Sequence, residues 1–108
     1  MIPFRQLVEN RIRREPEFAA TLLEEALELL IGNDLVTAQL LLRDIVNGTV
    51  GFAAMSDATG IPEKSLMRML SVKGNPQARN LFAIIDRLQE MNGVRLEVHA
   101  KPSSRAAR

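Results

Sequence analysis

Glycine and proline punctuate this chain closely, at Pro16, Gly32, Gly48, Gly60, Pro62, Pro76 and Gly93, and most of the segments between them repeat apolar residues at spacings of three and four. Such a pattern specifies short amphipathic helices, because each stop ends an element before it grows long. Over 3–14, Phe4, Leu7, Val8 and Ile12 share one side, and Pro16 ends the element. Pro16 suits the first turn of a second helix, where its missing N–H costs nothing, with Glu15 and Glu17 near the positive end of the dipole. There Phe18, Leu22, Leu23, Ala26, Leu27, Leu29 and Leu30 form an apolar stripe, while Thr21, Glu24, Glu25 and Glu28 form the wet side. Gly32 is expected to take the left-handed conformation at the end of this helix, and Asn33 or Asp34 to cap the third. Leu35, Ala38, Leu41, Leu42 and Ile45 carry the third helix to about residue 46, and Asn47-Gly48 closes it.

A chain of 108 residues with 46% hydrophobic content can fill one modest core, so a single domain over 1–100 is expected. Cysteine is absent, which rules out disulfides and thiolate metal sites as the means of holding the fold. The first residues carry frequent charges and lack the continuous apolar run of a signal peptide or membrane span, so a cytoplasmic location is expected. Only four phenylalanines supply aromatic surface, which disfavours a single-strand binder built on stacked rings. Net charge is +1 overall but unevenly spread. Residues 1–48 hold five basic and eight acidic side chains, whereas 49–80 hold four and two, and 81–108 hold five and three. A basic rear half suits an approach to phosphate.

From Thr49 the pattern is two short helices joined by a tight turn, followed by a longer helix. Thr49 is a plausible N-cap, and the helix through Ala58 is expected to present Val50, Ala53, Ala54 and Met55 to its neighbours. Gly60 permits the positive φ of a sharp turn, and Pro62 suits the start of the helix that follows. Helices joined through so short a turn must cross steeply, the geometry of a helix-turn-helix over 49–71. In the second of them Leu66, Met69 and Leu70 face inward, which leaves Glu63, Lys64, Met67, Arg68 and Ser71 outward and Pro62 and Ser65 at the N-terminal edge. If this helix enters a major groove, Arg68 can grip guanine through O6 and N7, Ser65 can reach a phosphate or base, and Lys64 can neutralise phosphate. Glu63 can accept from a cytosine amino group and Met67 can touch a thymine methyl. Lys73 and Arg79 flank the helix and can clamp phosphates, while Asn75-Pro76 reads as turn chemistry.

The segments PEFAATLLEEALE at 16–28, ATGIPEKSLMRMLS at 58–71, GNP at 74–76 and VRLEV at 94–98, with their spacing, resemble the addiction-module antidote proteins. These are small helix-turn-helix antitoxins of bacterial toxin–antitoxin operons. The resemblance spans most of 15–98 and implies an all-helical DNA-binding fold that represses its own operon and binds a partner toxin, usually a small ribonuclease. It also implies that Pro62, Glu63, Lys64, Ser65 and Arg68 lie in the recognition helix.

The last helix, from about Ala78 to Met91, is expected to bury Leu81, Ile84, Ile85 and Leu88 and to end at Asn92-Gly93. Val94, Arg95, Leu96, Glu97 and Val98 then alternate with the period of a strand. A lone strand in a helical domain needs a partner from a second copy or a toxin, so a homodimer is expected, its two recognition helices reading half-sites about 34 Å apart. Residues 101–108 form a basic tail. The expected fold class is therefore all-α, a bundle of five to six helices containing a lambda-repressor-like helix-turn-helix, with one short C-terminal strand paired across the dimer.

No Gly-rich phosphate loop, nucleophile with its base, or metal-ligand spacing is visible, so neither an enzyme nor a cofactor is expected. His99 has no partner at ligand spacing, and the glutamates of the second helix follow its polar period. The expected function is an autorepressor of double-stranded operator DNA that also neutralises a cognate ribonuclease-type toxin. The alternatives are a stand-alone regulator, or a helical protein-interaction module that does not bind DNA.

Overall fold

In the computed structural model, which describes residues 2–104, six helices run in chain order: α1 (Phe4–Arg14), α2 (Pro16–Ile31), α3 (Leu35–Gly48), α4 (Gly51–Thr59), α5 (Glu63–Met69) and α6 (Ala78–Met91). They form a helical bundle. Helix α3 packs most extensively on α2 and next on α1, α4 is shared among α3, α5 and α6, and α6 returns to α2. All six contribute to the core or pack against it, through Ile12 of α1, Leu22 and Leu23 of α2, Leu42 and Ile45 of α3, Phe52 and Met55 of α4, Leu66 of α5 and Ile84 and Leu88 of α6. Burying side chains of this kind contributes roughly 1.5–3 kcal/mol each before chain entropy is charged against it, so no helix here is an optional appendage. Among the described residues no helix is long and apolar enough to cross a membrane.

Local chemistry explains most of the boundaries. Pro16 stands in the first turn of α2, as its fixed φ and missing donor favour. Asp34 caps α3 by accepting from the Thr37 N–H at 3.3 Å. The Arg11 guanidinium lies 4.0 Å from the centre of the Phe18 ring, which shields that half-buried ring where α1 passes α2. Arg5 of α1 meets Asp44 of α3 at 3.1 Å, and burial pushes the Asp44 carboxyl above the ordinary range against the opposing pull of Arg5.

Several expectations are corrected. Phe4 and Leu7 do not join the core; they are 81% and 50% exposed, because α1 inserts only Ile12 fully, with Val8 packed against the cluster. The left-handed residue after α2 is Asn33, with φ 65°, and Gly32 stays at φ −80°. Asparagine tolerates this conformation better than other non-glycine residues. Thr49 does not start α4. Its hydroxyl and its N–H both donate to the Ile45 carbonyl, at 2.7 and 3.0 Å, which extends and closes α3. Helix α4 therefore begins at Gly51, and its inner side is Phe52 and Met55, while Ala53 and Ala54 face out.

Residues 94–98 have no regular secondary structure and no ladder partner within this single chain. The alternation survives as burial. Val94 and Leu96 pack against the core, and Arg95, Glu97 and Val98 are exposed. Gln89 of α6 holds the segment, its carbonyl accepting from the Val94 N–H at 3.0 Å and its side-chain oxygen from the Leu96 N–H at 2.8 Å. One helical chain offers no free sheet edge, so the apolar side chains dock on helices instead.

Candidate nucleic-acid interface

The candidate site is assembled by the turn between α4 and α5. Gly60 ends α4 at φ 77°, a left-handed value that glycine adopts without a side-chain penalty, and its N–H donates to the Ser56 carbonyl at 2.8 Å. Three further bonds lock the crossing. The Ser56 hydroxyl donates to the Ile61 carbonyl at 2.6 Å, the Thr59 hydroxyl donates to the Met55 carbonyl at 2.8 Å, and the same Thr59 oxygen accepts from the Ile61 N–H at 3.2 Å. Ile61 packs against the core and turns the chain inward before Pro62 turns it out. Pro62 occupies the N-cap of α5, where it has no side-chain oxygen to satisfy the first-turn N–H groups.

Helix α5 then divides cleanly. Leu66 and Leu70 are fully buried and Met69 half-buried, so the inner side falls where the three-and-four spacing puts it. Pro62, Glu63, Lys64, Met67 and Arg68 are exposed and Ser65 is half-buried. Pro62, Glu63, Lys64 and Met67 line one shallow depression, and Arg68 lies one turn beyond Lys64 on the same side. Lys73 is exposed in the loop after α5, and Arg79 is exposed in the first turn of α6.

Among the described residues Arg5, Arg11 and Arg87 are each paired with a carboxylate, whereas Lys64, Arg68, Lys73 and Arg79 form no ion pair. Being without an ion pair is shared by these residues with Arg13, Arg14, Arg43, Arg95 and Lys101; what Lys64, Arg68, Lys73 and Arg79 add is their grouping within a sixteen-residue stretch of chain around α5. Four cations in and around one short exposed helix are therefore left with their charge available to an outside anion.

One structural residue of this region is not evident from charge or motif. Gln39 of α3 is 1% exposed, and its Nε2 donates to the carbonyl oxygens of Met69, the last residue of α5, at 2.6 Å and of Ser71 and Gly74, in the loop after it, at 3.3 Å. The available signal was an amide on the same helical face as Leu42 and Val46, where an apolar residue is the rule.

The segment with the strand-like alternation lies on another face. Leu96, Glu97, Val98 and His99 line a groove with Glu24, Leu27, Glu28 and Ile31 of α2. His99 sits 3.4 Å from Glu97, and among the described residues no group of His, Asp and Glu is arranged to hold a metal ion. Compared with models of protein families, with curated proteins and with solved structures, the chain finds no match.

Proposed function

We propose that this chain is a sequence-specific double-stranded DNA-binding regulator, in which α4 and α5 form a lambda-repressor-like helix-turn-helix and α5 is the recognition helix. The observation that carries the reading is the exposed side of α5, where Lys64 and Arg68 carry unpaired charge opposite the anchors Leu66 and Leu70, with exposed Lys73 in the following loop and Arg79 in the first turn of α6. In this reading Lys64, Lys73 and Arg79 contact phosphates and position the protein, releasing counterions as they do so. Arg68 reads guanine, Ser65 reaches a phosphate or base, Glu63 accepts from cytosine, and Met67, 42% exposed, meets a thymine methyl. The protein then acts by occupying DNA and needs neither a catalytic group nor a cofactor.

The resemblance of 16–28, 58–71, 74–76 and 94–98 to antitoxins supports the narrower role of a cytoplasmic autorepressor that binds a cognate ribonuclease-type toxin. A homodimer belongs to the same reading, since two recognition helices on a two-fold axis match the half-sites of a palindrome. The segment of the exposed residues Arg95 and Glu97 is the one through which a second copy or a toxin would add a strand, exchanging the bonds that Gln89 makes to Val94 and Leu96.

Replacing Arg68 with alanine is expected to weaken binding to the preferred duplex by about 1–3 kcal/mol and to relax preference at a single base pair. Competition binding against a panel of single-base-pair variants measures both. An unchanged affinity with an unchanged preference at every position would place the recognition face elsewhere.

A further inference from the structure

We infer that Gln39 is a positioning residue for the recognition helix: reaching from α3, its amide clasps the C-terminal end of α5 and fixes the tilt at which Arg68 and its neighbours are presented to DNA. This rests on the DNA-binding reading of α5 given above.

Helix α5 has seven residues and packs chiefly on α4. Its own fully buried side chain is Leu66, with Leu70 following at the C-cap. Two apolar anchors on one side of so short a helix hold its depth but leave its tilt poorly defined. The N-terminal end is tied by the turn, through the Ser56 hydroxyl on the Ile61 carbonyl. At the other end, the carbonyls of Met69 and Gly74 receive no hydrogen bond but those from Gln39 among the described residues. The two N–H bonds of the Gln39 amide are shared among three acceptors at 2.6, 3.3 and 3.3 Å, so a single side chain gathers the helix end and the loop after it.

Geometry makes the tilt matter. At 1.5 Å per residue, seven residues span about 10 Å, so a tilt of about 10° moves one end by roughly 2 Å. Directional contacts survive displacements of only about 0.5 Å. The composition of the site points the same way. A methionine would match this volume but would leave the Met69 and Gly74 carbonyls without a donor, whereas Gln39 supplies it although its own Oε1 is buried with no protein partner. An unsatisfied buried acceptor is a stability liability, and what the amide gives in return is a fixed helix end. Gly74 is part of the clasp. A Cβ there would stand 2.7 Å from the Met69 carbonyl oxygen and closer still to that of Arg68, so only glycine lets the loop fold back onto the helix end.

The test uses the full chain and the duplex enriched from a randomised library, beside a scrambled duplex, at 10 °C, where circular dichroism confirms that each variant is folded. Gln39→Met removes the clasp with little change in volume, and Gly74→Ala disturbs the same carbonyls without touching α3, so failure of one variant to fold does not end the test. Val46→Ala serves as a general core lesion in α3. The ratio of affinities for the selected and scrambled duplexes is expected to fall at least tenfold in Gln39→Met and Gly74→Ala. Binding to the scrambled duplex should stay within twofold, and the ratio in Val46→Ala should match the parent. Amide exchange over 66–74 should accelerate in Gln39→Met while that of α2 does not. A parental ratio in a folded Gln39→Met, or an equal loss of ratio in Val46→Ala, overturns the positioning role. A parent that itself shows no preference removes the DNA-binding reading, and this inference with it, so the two failures are separable.

Discussion

Leu66→Ala is expected to lower the free energy of unfolding by roughly 2–5 kcal/mol, with a fall in Tm of more than about 10 °C. Leu66 is fully buried within the core cluster, where it joins α5 to the rest of the bundle. The truncation forfeits the transfer energy of the deleted carbons and leaves a void that a helix tied at both ends cannot close easily. Urea denaturation followed by circular dichroism should show a lower midpoint with an unchanged slope, the mark of lost native stability in a cooperative transition. A loss below about 1 kcal/mol, well under the usual range for leucine truncation, would mean that α5 opens on its own and that its burial is not part of the global transition.

The second large effect is expected at Gly74. Gly74→Ala should cost about 2–3 kcal/mol, near the upper part of the range for overpacking, because the atoms that block the new methyl are backbone. The added Cβ would lie 2.7 Å from the Met69 carbonyl oxygen and 2.9 Å from its carbonyl carbon. Relief requires the loop to lift away from α5, and that motion stretches the hydrogen bonds from Gln39 to Met69 and Gly74. Thermal melts of the alanine variant beside the parent measure this, and a change within 0.5 kcal/mol, the usual range for a neutral surface substitution, would contradict the close approach.

The helical composition of the fold was legible because its signals are local. Pro16 acts through its fixed φ and missing donor, Asp34 through its side-chain acceptor and Gly60 through its positive φ, and the rows Leu22-Leu23-Ala26 and Leu81-Ile84-Ile85-Leu88 are long enough for the period to be unambiguous. Failures came where a tertiary choice decided between local options. Thr49 has the chemistry of an N-cap, yet its hydroxyl found the Ile45 carbonyl behind it, and a start two residues later rotated α4 so that Phe52 replaced Ala53 and Ala54 inside. Phe4 and Leu7 obey the helical period, but periodicity cannot say how far along a helix its neighbours extend, and α1 meets the core only near Ile12. Val94 and Leu96 alternate like a strand, and alternation records which side chains are buried but not what buries them.

At the candidate interface, the outward residues of α5 follow from its spacing once Leu66 and Leu70 are recognised as inward. What spacing could not supply is the charge accounting. The pairs Arg11–Glu15 and Arg87–Glu90 stand at helical spacing, but which of the possible local pairs form depends on side-chain direction, and the Arg5–Asp44 pair depends on a contact between α1 and α3. Gln39 was hidden for a related reason. Its three acceptors lie thirty or more residues away, and no local pattern announces a carbonyl that will need a donor.

The most direct test of the central claim is a fluorescence-anisotropy titration of the purified chain near physiological salt. The probes are a duplex from the DNA upstream of its own gene, the best duplex selected from a randomised library, and a scrambled duplex. Binding to the selected duplex at least about a thousandfold tighter than to the scrambled one, with affinity falling linearly in the logarithm of salt concentration, is the predicted result. Equal, weak and salt-sensitive binding to all three, or no binding, would contradict operator recognition and leave the exposed side of α5 as a surface for a protein partner.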